Sequence, residues 1–183
     1  MSTDYSEDRL IQKSAAELME TELGWTSVYA YDKEVLGENG TLGRNSFHEV
    51  LLIQRFRLAL KKLNPWINDK QIAEAIERMT ERMSSQTLMQ INEQKYQFIR
   101  DGIPVTRIKP DGTSEEIKAV VIDFENVDNN DFLCVRELWA YGALYRRRAD
   151  IVGFVNGIPL LFVELKNHNV EVENAFNENY RDY

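Results

Sequence analysis

A single cysteine, Cys134, leaves this chain of 183 residues without an intramolecular disulfide. It stands in the apolar run Phe-Leu-Cys-Val and is expected to be a buried structural thiol. No apolar run approaches the ~20 residues that a membrane-spanning helix needs. The opening residues, MSTDYSEDRL, lack the basic and apolar regions of a secretory leader, so a cytoplasmic location is expected. Nor is there an internal repeat, or a Gly-x-x-x-x-Gly-Lys-Ser/Thr loop for cradling nucleotide phosphates, which excludes ATP hydrolysis by that route. Positive charge is the minority: 22 Lys and Arg face 30 Asp and Glu, a net charge of −8. That balance argues against a simple electrostatic nucleic-acid binder, because phosphate affinity comes largely from neutralisation by Lys and Arg. Local grip is still available at Lys61-Lys62 and Arg146-Arg147-Arg148.

What is present is an ordinary globular composition, 43% hydrophobic and 28% charged. The length suits one domain, since ~150 residues already bury roughly 70% of their unfolded surface. The first half reads helical. Over residues 6–22, Leu10, Ser14, Leu18 and Glu22 form one line, with Ile11, Ala15 and Met19 beside it. Ser46-Phe-His-Glu49 has the form of a capping box for a second helix, which Asn64-Pro65 stops. Residues 68–83 and 86–100 carry two further helical patterns, closed by Gly102 and Pro104. The period then changes: residues 104–109 and 117–124 read as strands joined at Pro110-Asp-Gly112, and 126–130 as a loop. Residues 132–145 read as a third strand or strand pair. Residues 171–183 return to a helical pattern without a C-cap, and the chain is expected to be part of something longer.

One segment carries the chemistry. RADIVGFVNGIPLLFVELK, residues 148–166, is an apolar hairpin holding Asp150, Glu164 and Lys166. A two-residue turn at Asn156-Gly157 would place Glu164 and Asp150 on opposite faces; a three-residue loop would bring Asp150, Glu164 and Lys166 onto one. Two carboxylates and an ammonium converging at a sheet end suit a hard divalent cation that binds substrate phosphate. Such a cation acidifies a water and offsets charge on the phosphorus centre, while a nearby Lys orients the nucleophile. The bland alternative is a pair of solvated strand ends.

The segment and its surroundings resemble a known family. Asp123-Phe-Glu-Asn-Val-Asp-Asn-Asn-Asp-Phe132, then Arg148-x-Asp-Ile-Val-Gly-Phe-Val-Asn-Gly-Ile-Pro-Leu160, then Glu164-Leu-Lys166 follow in the order found at the N-terminus of the restriction subunit of type I restriction-modification enzymes. Asn64-Pro65 fits as well. The resemblance implies an α/β (α+β) fold: a helical N-terminal half packed on a mixed, largely antiparallel sheet, the PD-(D/E)xK core of RecB-like nucleases. It implies Asp150 and Glu164 as ligands of Mg²⁺, for which Mn²⁺ substitutes, Lys166 as the catalytic lysine, and Glu7 as a further acidic ligand. Asn179 and Tyr183 are implied as DNA-binding or supporting residues, against the alternative of Tyr183 as a plain amphipathic-helix residue; Arg148 of the same motif is a further candidate, and His168, just past Lys166, is near enough to contact substrate or else a bland loop histidine.

Two departures stand out: Ala149 where the family has Pro, and Asn179 where the Gln-x-x-x-Tyr element has Gln. The implied activity is cleavage of double-stranded DNA beside methyltransferase and specificity subunits, with ATP used only by downstream motor domains. A nuclease fold kept as an inactive interaction platform and a stand-alone repair nuclease are the competing readings. His48 reads as a packing or surface residue.

Overall fold

The computed structural model describes residues 7–81, 85–142 and 146–165, with side chains from residue 11 onward. In chain order the elements are α1 (Glu7–Leu23), β1 (Thr26–Tyr29), α2 (Ile53–Leu63), α3 (Asp69–Thr80), α4 (Leu88–Asp101), β2 (Ile103–Ile108), β3 (Ser114–Ala119), β4 (Phe132–Tyr141), β5 (Arg146–Val155) and β6 (Ile158–Val163). A four-stranded sheet has the order β1-β4-β5-β6, and β2 and β3 form a sheet of their own. The fold is α+β, as expected. The four-stranded sheet is mixed, because β1 runs parallel to β4 while the tight turn after β5 returns β6 antiparallel. The expected helix over 171–183 lies outside the described residues.

The chain divides into two compact units, the second being residues 51–131 with 155–158, and the first the remainder. In the first unit α1 packs its small residues onto the sheet. Ala16, Cys134 and Ile151 are buried together, with Ala15, Met19, Trp25 and Val163 against them. This corrects the expected face of α1: Ile11 and Leu18 are exposed, and Gln12 is buried at 3%. Ile11 and Leu18 tolerate the rim of a small unit, whereas Gln12 is buried because its amide finds acceptors inside. Gly153 is where Trp25 meets β5, since a Cβ there would lie 2.9 Å from the indole ring. The buried Arg44 guanidinium pairs with Glu34 at 2.5 Å and donates to the Trp139 carbonyl at 2.7 Å, so this desolvated charge is fully engaged.

In the second unit α2, α3 and α4 pack with β2 and β3 around Phe56, Leu60, Ile72, Ala75, Val105 and Val121. Helix α2 begins at Ile53, not at the expected box around Ser46, which is a turn closed by Glu49 N–H donating to the Ser46 carbonyl. The genuine capping boxes are Asn68 with Gln71 on α3 and Thr87 with Gln90 on α4. Asn64 ends α2 and reaches further: its amide group donates to Val120 O at 2.7 Å and accepts from Val120 N at 2.8 Å.

The asparagine-rich motif residues are structural. Asn156, fully buried, donates to Val121 O and to Asn130 Oδ1 and accepts from Asp131 N. Asn130 in turn accepts from Asp123 N and donates to Asp123 O. One continuous network therefore locks the 123–131 loop to the hairpin tip, satisfying backbone groups that no sheet ladder reaches.

Candidate functional site

Asp150 sits in β5 between Ala149, 5% exposed, and Ile151, fully buried. A strand buried on both sides of the residue holds its backbone rigidly. The Asp150 carboxylate accepts from Leu165 N on Oδ2 at 2.6 Å and from Gln12 Nε2 on Oδ1 at 3.1 Å. Asn156 and Gly157, at φ 53° and 80°, make the two-residue form of the turn, the primed type that needs positive φ at both positions. Alternation along a regular hairpin would then separate Asp150 from Glu164.

The structure resolves this by ending the strand: β6 stops at Val163, and Glu164 and Leu165 leave the ladder. Past that point alternation no longer fixes the side-chain face. The Leu165 amide folds back onto Asp150, which brings the Glu164-Leu165 backbone to the aspartate. Glu164 is itself half-buried.

Two residues not foreseen from sequence complete this cluster. Gln12 of α1 donates through the same Nε2 to Glu137 Oε1 at 2.8 Å and to Asp150. Glu137, only 6% exposed in the middle of β4, pairs through Oε2 with Arg148 Nε at 2.6 Å. Its φ of 57° is left-handed, a conformation that costs an L-residue on the order of 1–3 kcal/mol. Such a kink re-aims one side chain of a strand, here toward α1 and β5. The Arg148 guanidinium lies 5.1 Å from the Tyr31 ring centre and 5.9 Å from that of Trp139. A carboxylate within an apolar strand was the available sequence signal for Glu137; Gln12 carried none beyond its place in α1.

A cleft lined by Gln12, Lys13, Tyr29, Tyr31, Lys33 and Arg136 adjoins the cluster through Gln12. Lys33 and Arg136 both lie over the Tyr29 ring, at 5.7 and 5.1 Å. Three cations against Asp32 make this cleft locally basic in a chain of net charge −8.

Of the residues expected at the site, Asp150, Glu164 and Arg148 fall in the described region, and the first and last are joined through Glu137 and Gln12. Glu7 opens α1 with its side chain outside the described residues; the α1 side chain that reaches Asp150 is Gln12. Lys166, His168, Asn179 and Tyr183 lie outside the described residues. His48 packs edge-on against Tyr141, 5.9 Å between ring centres, the bland role expected of it.

Among the described residues no group of three or more His, Cys, Asp or Glu is arranged to hold a metal. Asp150 and Glu164 offer hard carboxylate oxygens. That donor set fits Mg²⁺, which takes one or two carboxylates and completes its octahedron with water and phosphate oxygens.

Relatives place the chain. A type I restriction enzyme HindI endonuclease subunit of Haemophilus influenzae is 31% identical over 167 residues, 87% of this chain and 15% of its own length. A proposed type I restriction enzyme MjaIXP endonuclease subunit of Methanocaldococcus jannaschii is 26% identical over 178 residues, 94% of this chain and 16% of its own length. This chain thus spans about a sixth of the curated relatives it matches. The family model for the type I restriction enzyme R protein N terminus matches residues 4–183. The chain therefore belongs to the family of type I restriction enzyme R protein N-terminal regions.

Proposed function

We propose that this chain is the metal-dependent nuclease region of a type I restriction subunit, cleaving phosphodiester bonds of double-stranded DNA. What supports the reading most directly is Asp150, fixed on both carboxylate oxygens in the middle of β5 and against the Glu164-Leu165 backbone. A divalent cation held by Asp150 and Glu164, Mg²⁺ or Mn²⁺ in its place, would supply a more acidic water and charge neutralisation at the scissile phosphate.

The rest falls to the chain. Asp150 needs no rotamer search, because Gln12 and the Leu165 amide hold it, so its orientation is set before substrate arrives. Arg148, one of its nitrogens engaged by Glu137 and its plane over aromatic rings, presents its remaining N–H groups for a phosphate. Lys13, Lys33 and Arg136 offer further backbone grip along the cleft. Lys166 is the general-acid or water-orienting ammonium of this reading, with Glu7, His168, Asn179 and Tyr183 as supporting groups. ATP-driven translocation, and pairing with methyltransferase and specificity subunits, belong to the complete protein.

The test is substitution in the complete protein. Asp150→Ala, Glu164→Ala and Lys166→Ala are each expected to lower DNA cleavage about a hundredfold or more, as loss of a transition-state contact does, while ATPase and translocation persist. Wild-type cleavage by any one of the three would end this assignment.

A further inference from the structure

Glu137 is the residue whose presence the fold explains least. It is a carboxylate in the middle of an otherwise largely apolar strand, buried, and held at left-handed φ where glycine is the unstrained choice. Each of its two oxygens has a specific partner, and each partner leads to the site. Oε1 receives Gln12 Nε2, which also donates to Asp150; Oε2 stands 2.6 Å from Arg148 Nε in an ion pair that lacks hydrogen-bond geometry.

Resting on the nuclease reading above, we propose that Glu137 is a positioning residue with two arms, setting the metal-binding aspartate through Gln12 and the phosphate-facing guanidinium through its ion pair. The first arm is an orientation constraint. A glutamine amide with a single acceptor can rotate about its last torsion, whereas one bonded to two carboxylates through the same nitrogen cannot turn without losing both. Glu137 thereby fixes which end of the Gln12 amide faces Asp150. The second arm is a charge constraint. Arg148 stands over two aromatic rings and would be free to slide along them; the charge pair at Nε anchors its position and leaves its terminal nitrogens without an acceptor among the described residues. The left-handed backbone at Glu137 is what lets one side chain of β4 serve both partners.

The two arms separate by substitution. In Glu137→Gln the side-chain oxygen still accepts from Gln12 but the ion pair is lost. In Glu137→Ala and Gln12→Ala the hold on Asp150 is lost. The experiment uses the complete restriction complex for cleavage, and the complete subunit without nucleotide for Mn²⁺ binding followed by electron paramagnetic resonance. Glu137→Gln is expected to keep wild-type Mn²⁺ affinity and to raise the DNA KM about tenfold. Glu137→Ala and Gln12→Ala are expected to weaken Mn²⁺ binding and lower kcat about tenfold each. Their double variant should be no worse than the poorer single, because both act through one chain of bonds.

Thermal melting of each variant accompanies these readings, and Glu137→Gln, matched in shape, keeps the test informative if an alanine variant unfolds. Asp150→Ala serves as control. If it abolishes Mn²⁺ binding and cleavage while the Glu137 and Gln12 variants match wild type in Mn²⁺ affinity, kcat and KM, the positioning role is refuted and the nuclease reading stands. If Asp150→Ala itself binds Mn²⁺ and cleaves, the nuclease reading falls first.

Discussion

Asn156 shows how much one side chain is asked to do. It occupies a left-handed position that favours glycine, yet it is an asparagine, because its amide serves the Val121 carbonyl, the Asn130 side-chain oxygen and the Asp131 N–H. Asparagine is the L-residue that tolerates this φ best, so the polar network costs little backbone strain. Asn156→Ala is expected to lower stability by about 2–4 kcal/mol, the result of stranding several buried polar groups. Asn156→Gly removes the same bonds but suits the backbone, so it should be the milder variant by up to ~1 kcal/mol. Urea unfolding of the two measures the split between hydrogen bonding and conformation. Equal losses would mean that the left-handed backbone plays no part.

At the scale of elements, the 123–131 loop is organised around one carboxylate. The amide of Asn126, then the Asn129 side chain and the amide of Glu125, hold Asp123 below the ordinary aspartate value of 3.8. A depressed folded-state value means that these bonds stabilise the loop fully above the unfolded value, and that the benefit is lost as pH falls through the lower folded one. The difference in stability between wild type and Asp123→Ala should stay level from neutral pH to about 5 and shrink below about 4, near the unfolded aspartate value. A difference that persists unchanged to pH 2 would contradict it.

Elements were also where the sequence was most readable. The helical patterns of α3 and α4, the stop at Asn64-Pro65 and the hairpin around Asn156-Gly157 are local signals, and each lies within a few residues of its effect. Strand β1 was missed because four residues, Thr26–Tyr29, are too short to display a period and gain their ladder only from distant β4. The start of α2 was misread since Ser46 and Glu49 have cap chemistry but are spent on a turn before Leu52. At the site, Asp150 was legible as a charge in an apolar strand. Gln12 was not, because its partners stand 125 and 138 residues away and nothing local to α1 anticipates them.

For the whole molecule the governing number is the net charge of −8. A surface so biased repels DNA except where cations gather, so under the proposed function binding should rest on few phosphate contacts. Its dependence on salt should accordingly be shallow, with a slope of about −0.9 per phosphate neutralised. Arg148→Ala is expected to reduce that slope by about one while weakening binding evenly across sequences. Fluorescence anisotropy of a labelled duplex, titrated at several salt concentrations, measures it. An unchanged slope would remove Arg148 from the phosphate contacts.

One feature of the chain's layout bears on how such subunits can be recombined. The first compact unit is interrupted by residues 51–131, and the hairpin that carries Asp150 and Glu164 lends its tip, residues 155–158, to the second. A chimera of two homologues joined once between positions 132 and 154 therefore inherits an Asn156 from one parent and its Asn130 and Val121 partners from the other. Crossovers near 50 and near 131 do not keep the second unit intact either unless the four tip residues travel with them. Gene shuffling in this family will yield folded hybrids where the tip and the 121–131 loop share a parent, and that linkage spans a stretch of sequence with Asp150 inside it.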